Sequence, residues 1–433
     1  MITKSIKNII IKYQILSHTL LYLRIKKYRL RQFIYVQIYK RNILKLPHLG
    51  VGSQETVMIF VMKHVTGGTN SATKTLIENN PLKCYFIMRS HKELVDVEVC
   101  YEGRSETAGT HIDPVYAINS IVKARRINKI IIQQLIDFNL SKIVNALETI
   151  NIPIEVYLHD FFLICPTVFL LNEKNRFCNL PDDIKECKKC ISLQLAVKSR
   201  NIKTKNVRNF HDIVTWRQNS AKLFKASSKV IVSSMITENI YKRAFSEISG
   251  KVVYSYELLK CSQNFRKLDS TYNPFANKTI KIAMVGSWIY EKGKDIFEKM
   301  QNVIDANNLK ETVSLSFIGY ADPKYFDKRI EYLGKYNSET LSEIIMENNV
   351  SICLIPSVVC ETFCIAAQDC IEVGIPLIVL GIGAMKERVT NNQKCHIVAQ
   401  LTEDTIQYLT DIEMADIILH ETIEFANKSR KNI

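Results

Sequence analysis

The chain repeats short apolar runs, each followed by a polar or glycine-containing loop and then by a segment of helical periodicity. The runs include VMIFVM, KCYFIMR, VDVEVCYE, IEVYL, KVIV, IKIAMV, VSLSFIG and VSICLI, which are rich in β-branched and aromatic residues. Continuous apolar runs are typical of strands that are buried on both faces of a parallel sheet. Strands that alternate with helices predict βα units, so the predicted fold class is α/β with doubly wound, Rossmann-like sheets.

Two series of these units predict two domains behind an N-terminal extension. We place the extension at residues 1–50, a first Rossmann-like domain at 56–260 and a second at 280–433. Residues 261–279 are polar and are interpreted as the linker. A length of 433 residues exceeds one ordinary domain, which agrees with this division.

The positive charge of the chain is concentrated in its first residues. The formal net charge is +15, yet residues 1–45 hold 11 Lys or Arg and no acid, while the rest carries 47 basic and 43 acidic side chains. The longest uncharged run of this arm, Tyr13 to Leu23, is shorter than the roughly 20 residues that span a bilayer. The arm is also too basic and too long for a secretion signal.

Two interpretations of the arm stay open. A basic apolar helix suits an anionic membrane surface, and an ordinary amphipathic or solvated extension fits the same letters. No recognisable nucleic-acid-binding module accompanies the charge, so nucleic acid is not an expected partner.

Twelve cysteines without a secretory signal indicate a reducing compartment, and we expect a cytoplasmic protein. Four of them follow the spacing C-x12-C-x8-C-x2-C. Such thiolates can supply a tetrahedral structural zinc site that staples a long loop, whereas buried free thiols are the alternative. The four residues are Cys165, Cys178, Cys187 and Cys190.

The stretch Pro356–Val389 combines two acids with a predicted helix start. Glu361 precedes a short helix that carries Asp369. The first backbone N–H groups of a helix lack internal partners and attract a phosphate; here they would belong to Thr362, Phe363 and Cys364. Glu361 would then contact a neutral polyol, and Asp369 would accept hydrogen bonds from vicinal hydroxyls. A nucleotide-sugar offers all of these groups, whereas two solvated acids on a surface helix are the alternative.

Three further loops carry candidate ligand-binding residues at predicted strand ends. The first strand of the second domain delivers Gly286 and Ser287, and Lys292-Gly293 follows before a helix begins near Lys294. A cation beside a glycine and a helix N-terminus is a phosphate site by position, although surface turns also use this pair.

In the first domain, Gly67-Gly68 lets the backbone approach a ligand, or simply forms a turn. His159-Asp160 directly follows an apolar strand, where an uncharged imidazole can donate and accept hydrogen bonds. A packed histidine at a strand end is the alternative for His159.

These residues resemble the donor-binding motif of glycosyltransferase family 4, the retaining enzymes of GT-B fold. The motif is matched by Glu361, Thr362, Phe363, Asp369, Gly374 and Pro376, and Lys292 matches a second family position. Gly383-Ala384 and Glu387-Arg388 extend the resemblance toward the polysaccharide- and O-antigen-assembling branch. Asp369 replaces the usual Glu, and Ser287 replaces the usual Arg. The resemblance covers roughly residues 56–425.

The resemblance implies two Rossmann-like domains that face each other across a cleft. It implies transfer of a sugar from a nucleoside-diphosphate donor to a glycan or glycolipid acceptor, with retained configuration and no catalytic cofactor. Glu361, His159 and Lys292 would act at the reacting centre, whereas Gly334 and Tyr336 take the place of the base-binding loop. Either a front-face route or a covalent intermediate fits these residues.

The acceptor that the resemblance implies is a growing, lipid-linked glycan of capsule, O-antigen or another surface polysaccharide. Assembly would take place at the inner face of the plasma membrane, where the basic arm finds anionic lipids. The alternative is a catalytically inactive GT-B module that serves as a partner or scaffold subunit, since two family positions are changed.

Overall fold

The structure is a computed structural model that describes residues 30, 34, 36–37, 40, 43–46, 55–63, 68–196, 210, 212–255, 266–337 and 339–431. The chain divides into two compact units. Unit 1 comprises Met1–Asn175, Leu180–Ser233 and Glu238–Leu258, and unit 2 comprises Arg176–Asn179, Ser234–Thr237 and Leu259–Ile433. Among the described residues, no helix combines the length and the apolar character that crossing a bilayer requires.

Unit 1 is built on an eight-stranded sheet with the strand order β4-β3-β2-β1-β5-β6-β7-β8. The pairs from β2 through β1 to β8 are parallel, and the apolar runs supply the buried strands. The strands are β1 (Thr56–Met62), β2 (Cys84–His91), β3 (Leu94–Tyr101), β4 (Arg104–Ile112), β5 (Lys129–Ile132), β6 (Ile154–Tyr157), β7 (Lys229–Val232) and β8 (Val252–Tyr254).

The helices of unit 1 follow the strands, and polar caps start several of them. Asp113 accepts the N–H groups of Val115 and Tyr116, and a proline occupies the first turn behind it. Asn139 and Asp212 cap two later helices in the same manner. The helices are α1 (Gly68–Glu78), α2 (Pro114–Ala124), α3 (Leu140–Glu148), α4 (Ile184–Ala196), α5 (Ile213–Ala226) and α6 (Met235–Ala244).

One predicted βα unit is wrong. The run VDVEVCYE forms β3, which pairs antiparallel with β2 and then with β4 instead of leading into a helix. The connection from β2 to β3 is a tight turn at Lys92 and Glu93, both in the left-handed region with φ of 51° and 69°. A three-strand meander therefore forms one edge of the sheet.

Unit 2 is built on a six-stranded sheet with the order β11-β10-β9-β12-β13-β14, all of it parallel. Its strands are β9 (Ile280–Ser287), β10 (Val313–Tyr320), β11 (Glu331–Tyr332), β12 (Ile352–Ile355), β13 (Leu377–Gly381) and β14 (Cys395–Thr402). The helices are α7 (Lys294–Ala306), α8 (Leu341–Glu347), α9 (Ile365–Val373), α10 (Ala384–Val389) and α11 (Asp411–Lys431). Because β12 and β13 are buried at every position, the loops at their carboxyl ends are anchored on the core.

Candidate functional site

An ion pair joins two of the predicted site residues in unit 2. Lys292 ends the short 3-10 helix Tyr290–Lys292, and its Nζ donates to Glu361 Oε1 at 2.5 Å. Ser357 Oγ lies 2.7 Å from the same carboxylate oxygen. Burial lowers the pKa of Lys292, but the Glu361 carboxylate and neighbouring groups outweigh this and raise it above its usual value. Lys292 is therefore a half-buried cation that holds its charge.

Glycine at position 293 determines where Lys292 lies. Gly293 has a left-handed backbone with φ of 89°, and a Cβ there would stand 1.9 Å from the carbonyl oxygen of Pro356. Only a glycine allows this approach, because any side chain would push the two backbones apart. The turn that carries Lys292 is thereby pressed against the loop that leads from β12 to Glu361.

The backbone of Glu361 is fixed from the other side by the loop before α10. Ala384 N–H donates to Glu361 O at 2.8 Å. A Cβ on Gly383 would lie 2.6 Å from Glu361 N, so the two segments touch without an intervening side chain. Gly383 N–H donates to Glu403 Oε1 at 2.9 Å, which holds this loop in turn. The two loops that flank Glu361 are therefore each held to it by close backbone contacts.

The helix behind Glu361 begins later than predicted. Its first residue is Ile365, and Cys364 stands before it with a left-handed φ of 65°. Thr362, Phe363 and Cys364 thus form the preceding turn, and the helix-start N–H groups belong to Ile365 and Ala366. The prediction failed because nothing in the letters marks a cysteine for a left-handed backbone, which favours glycine or asparagine.

The end of β9 meets the first turn of α9. Gly286 has φ of 129°, and a Cβ there would lie 3.7 Å from Cβ of Ala366. Ser287, the last residue of β9, is half-buried. The opposing Gly319 is packed so closely that its own Cβ would stand 1.8 Å from Gly286 O. The predicted residues Gly286 and Ser287 therefore lie beside the helix N-terminus that attracts an anion.

A second cation flanks this turn. The guanidinium carbon of Arg388 lies 3.5 Å from the centroid of the Phe363 ring, a cation–π contact on a buried aromatic side chain. Arg388 Nη1 also donates to Gln368 Oε1 at 2.5 Å. Sequence reasoning placed Arg388 only in the family resemblance and gave it no role. The signal available in the sequence was that Arg388 lies in the short helix directly after Gly383, within the family motif.

Asp369 meets the loop that we expected to bind the base. Tyr336 Oη donates to Asp369 Oδ2 at 3.0 Å, and Gly334 turns the chain there with φ of 97°. Asp369 is only 7% exposed. Burial raises the pKa of Asp369 to about 6, although the bond from Tyr336 opposes the shift. Asp369 therefore ionises just below neutral pH.

In unit 1, His159 lies two residues beyond β6 and is paired with a glutamine. His159 Nε2 and Gln133 Oε1 are 2.5 Å apart, so the imidazole is hydrogen-bonded to the amide of Gln133. Burial lowers the pKa of His159 to about 4, so the ring is neutral above mildly acidic pH. Gln133 comes just after β5, and His159 comes just after the adjacent strand β6. A polar residue at each of these strand ends was a signal for their contact that the sequence analysis missed.

Asp160 holds its own loop. Its Oδ1 accepts Phe162 N–H at 2.8 Å, its Oδ2 accepts the Gln134 amide, and its carbonyl accepts Tyr241 Oη at 2.7 Å. Burial raises the pKa of Asp160 to about 6. Gln133 Nε2 and Gln134 Oε1 have no hydrogen-bond partner in the described part of the chain, and both residues line a cavity with room for about one water molecule.

Among the described residues, the four cysteines of the predicted zinc site do not form a metal-binding cluster. In the described part of unit 1, Cys165, Cys187 and Cys190 do not converge as three ligand atoms within reach of one metal ion. Thr167 and Gln194 donate to the Sγ atoms of Cys165 and Cys190, and Arg217 donates to that of Cys187 at 3.4 Å. Cys178 lies in the segment that groups with unit 2. Zinc binding by these thiols stays a prediction and requires them to approach.

The glycine-rich loop of unit 1 is described only in part. Gly67 lies outside the described residues, and Gly68 is the first residue of α1. The predicted role of both glycines in ligand binding stays a prediction.

Comparison with known proteins shows the fold. No protein-family model matches the chain, and no curated protein matches it in sequence. The chain is similar to the solved structure of sucrose-phosphate synthase from Thermosynechococcus elongatus, with 12% identity over 87% of this chain and 94% of that chain and a TM-score of 0.51. It is similar to the pneumococcal O-GlcNAc transferase GtfA in complex with UDP and GlcNAc, with 10% identity over 87% and 95% and a TM-score of 0.50.

A third similarity, to HepE from Anabaena in complex with UDP-glucose, has 13% identity over 86% of this chain and 91% of that chain, with a TM-score of 0.46. The predicted class, a mixed α/β chain with two Rossmann-like parallel sheets as in GT-B glycosyltransferases, is confirmed.

Proposed function

We propose that this chain is a retaining glycosyltransferase of family 4 type that moves a sugar from a nucleoside-diphosphate donor to a glycan. The observation that carries the proposal is the contact of Lys292 with Glu361 beside the start of α9. Lys292 and Glu361 are 69 positions apart in sequence and are in contact. A donor site in unit 2 requires this contact, because both residues would bind the same donor. The shared fold with sucrose-phosphate synthase and with a UDP-bound O-GlcNAc transferase supports the same class of donor.

The leaving diphosphate is stabilised by positive charge and by backbone N–H groups. Lys292 has three N–H donors and gives one to Glu361, so its ammonium has donors left for phosphate oxygens. The N-terminus of α9 adds the amides of Ile365 and Ala366. Arg388 adds a second positive charge near this turn, which offsets the replacement of the family arginine by Ser287. Charge that develops on the diphosphate is thereby neutralised without a catalytic metal ion.

The two acids, Glu361 and Asp369, bind the uncharged sugar and ribose groups of the donor. Glu361 accepts hydrogen bonds from sugar hydroxyls, and its contacts with Lys292 and Ser357 position the carboxylate. Asp369 accepts from the ribose hydroxyls, and Tyr336 lies beside the base. His159 of unit 1 is assigned a contact with the transferred sugar or the acceptor as a neutral donor–acceptor group. The leaving phosphate takes the acceptor's proton in a front-face reaction; a covalent intermediate is the competing route.

The finer assignment rests on the resemblance of residues 383–388 to the polysaccharide-assembling branch and on the basic arm. Both favour a lipid-linked acceptor at the cytoplasmic face of the plasma membrane, in capsule, O-antigen or other surface polysaccharide synthesis. The second candidate is an inactive GT-B scaffold, which Asp369 and Ser287 favour because each departs from the family pattern.

Calorimetric titration with UDP-, GDP- and dTDP-sugars, together with mass spectrometry of released nucleotide, tests the proposal. One donor should bind and be turned over. Glu361→Ala and Lys292→Ala should each reduce turnover at least about 100-fold, the size of the loss when one transition-state-stabilising donor is removed. The matched control is Lys310→Ala, which also breaks a lysine–carboxylate pair, with Asp305, but at an exposed lysine outside the candidate site.

Turnover of the wild-type size in both site variants would overturn the assignment. Absence of binding for every donor would favour the scaffold instead. Circular dichroism melting of all three variants separates lost chemistry from lost folding.

A further inference from the structure

A histidine–carboxylate cluster lies on the strand meander of unit 1, outside the candidate donor site. His91 ends β2, Asp96 lies in β3 and His111 lies in β4. One ligand atom from each of the three side chains can be chosen so that all three lie within 4.8 Å of one another. His91 Nδ1 and Asp96 Oδ2 are 3.5 Å apart, and the two imidazole rings have their centroids 4.5 Å apart.

The spacing matches the geometry of a metal ion. Bonds of about 2.1 Å at tetrahedral angles place two ligand atoms about 3.4 Å apart on zinc. The 3.5 Å between His91 Nδ1 and Asp96 Oδ2 is close to this distance. The third ligand atom, on His111, lies within 4.8 Å of the other two and would approach them to about 3.4 Å when one ion is shared. Imidazole and carboxylate ligands are those that zinc and its neighbours in the first transition row prefer.

A local distortion brings the third residue to the cluster. Thr110 and His111 together lie opposite the single residue Asp96 between the paired positions Val95–Ile112 and Val97–Gly109, so β4 is bulged here. His111 has a left-handed φ of 57°, which a non-glycine residue adopts rarely. The same residue donates its backbone N–H to Asp96 Oδ1 at 3.0 Å. That bond orients the carboxylate and leaves Oδ2 directed at the imidazole of His91.

The ammonium group of Lys63 contacts two of the three side chains, those of His91 and Asp96. Lys63 directly follows β1, and its Nζ lies 3.0 Å from Asp96 Oδ2 and 2.6 Å from His91 Nδ1. The Lys63 side chain is 48% exposed, so it is free to turn toward solvent when another cation arrives. The position of the Lys63 ammonium indicates that Asp96 Oδ2 and His91 Nδ1 together attract a positive charge.

We propose that His91, Asp96 and His111 form a binding site for one divalent transition-metal ion of the zinc class, with water as the fourth ligand. The ion links β2, β3 and β4 and has no part in sugar transfer. Lys63 competes with it for the same lone pairs. This site is distinct from the predicted cysteine site, and its role is to fasten the meander at the sheet edge.

The experiment measures zinc directly. The full chain carrying Cys187→Ser and Cys190→Ser, so that no C-x-x-C thiols contribute, is stripped with a chelator and titrated with zinc chloride by calorimetry. One zinc per chain is expected. His91→Gln and His111→Gln should each weaken binding by more than about 100-fold, since outer partners of such ligands alone contribute 10- to 100-fold. His396→Gln is the matched control, because His396 is also half-buried beside a carboxylate, Glu421, at 2.8 Å.

Lys63→Met gives the sharpest result, because it separates a metal site from an ordinary ion pair. Removal of the competing ammonium should tighten zinc binding by about tenfold or more, the scale on which groups around the ligands act. Circular dichroism must show that this variant is folded, because the exposed cysteines and histidines of a misfolded chain would also bind zinc. With that check, the variant keeps the proposal testable even if the histidine variants are unstable. Unchanged or weaker zinc binding by Lys63→Met, or unaltered binding by both histidine variants, would overturn it.

Discussion

Asp369 is the residue whose environment opposes its assigned role most clearly, since a buried carboxyl is costly to ionise. Its pKa is raised from 3.8 to about 6. The native state therefore holds the proton more tightly than the unfolded state. By linkage, its contribution to the free energy of unfolding falls as pH rises from about 4 to about 6, and the full cost persists above that range.

The substitution Asp369→Asn tests this cost. The amide cannot ionise, and its oxygen still accepts the Tyr336 hydroxyl, so we expect the variant to be more stable than wild type at pH 8 by about 1–3 kcal/mol, at 1.36 kcal/mol per pKa unit. The gain should shrink toward pH 4. Denaturant unfolding at several pH values measures it.

Donor binding should change in the opposite direction. Loss of the carboxylate removes the acceptor proposed for the ribose hydroxyls, so Asp369→Asn is expected to bind the donor at least about tenfold more weakly, with little pH dependence. Wild-type affinity should itself fall below about pH 6, as the carboxyl is protonated. A variant that is both more stable and equally competent in binding would refute the role of Asp369.

Asp305, whose pKa shifts in the opposite direction, supplies the control for the sign of this effect. The pKa of Asp305 is lowered, mainly by its hydrogen bond from Lys310, although burial opposes the shift. Its stabilising contribution is present above the unfolded pKa and is lost on acidification. Asp305→Asn should therefore show no gain at pH 8.

At the scale of elements, the turn between the 3-10 helix and α7 decides where the site cation lies. Gly293→Ala would place a methyl group 1.9 Å from Pro356 O on a left-handed backbone. The backbone of one of the two loops must move, and we expect a loss of about 2–4 kcal/mol in unfolding free energy, above the cost of an ordinary left-handed residue. Donor affinity should fall with it, because Lys292 shifts.

Gly103→Ala isolates the conformational part of that cost. Gly103 has φ of 72° and no atom within 4 Å of a Cβ built there, among the residues the structure describes. It should lose only about 1 kcal/mol, from backbone preference alone. Equal losses in the two variants, measured by denaturant unfolding, would show that the contact with Pro356 is unimportant.

An element could be predicted from the sequence where its residue types indicate the backbone conformation that it adopts. Apolar runs predicted the parallel strands β1, β9, β10 and β12, because burial on both faces leaves a direct hydrophobic signature. The β2–β3 hairpin was missed because Lys92 and Glu93 adopt positive φ without the asparagine or glycine that usually announces such a turn. The second hairpin carried a signal at Gly103, and it was overlooked.

The site divides in the same way. Lys292, Glu361 and Asp369 could be named as candidates from the sequence, because they match family positions whose residue types suit the proposed chemistry. Their partners could not. Ser357 lies only four residues before Glu361, but a serine in a loop carries no distinctive signal. Arg388 reaches Phe363 only through packing of a separate helix. Gln133 was a local signal, a polar residue at the end of an apolar strand, that went unused.

At the scale of the whole molecule, we expect the basic arm and the described units to have separable roles. Deleting residues 1–29 removes seven of the 11 cations in residues 1–45. It leaves Lys40, which pairs with Asp113 at 3.5 Å, and Lys45, whose N–H donates to Ala108 O at 2.8 Å. The truncation therefore keeps the described contacts that this region makes with unit 1.

We expect the full chain to co-sediment with vesicles containing anionic phospholipid, and the truncated chain to remain in the supernatant. Each basic residue near such a surface contributes about 1 kcal/mol, so the loss of seven should abolish binding at moderate salt. Vesicles of neutral phospholipid, and added salt, should release the full chain as well, because the attraction is electrostatic. Donor affinity should be the same for both chains, since the candidate donor site lies in unit 2. Equal sedimentation of the two chains would place membrane affinity in the described units instead and remove the arm from the proposed setting.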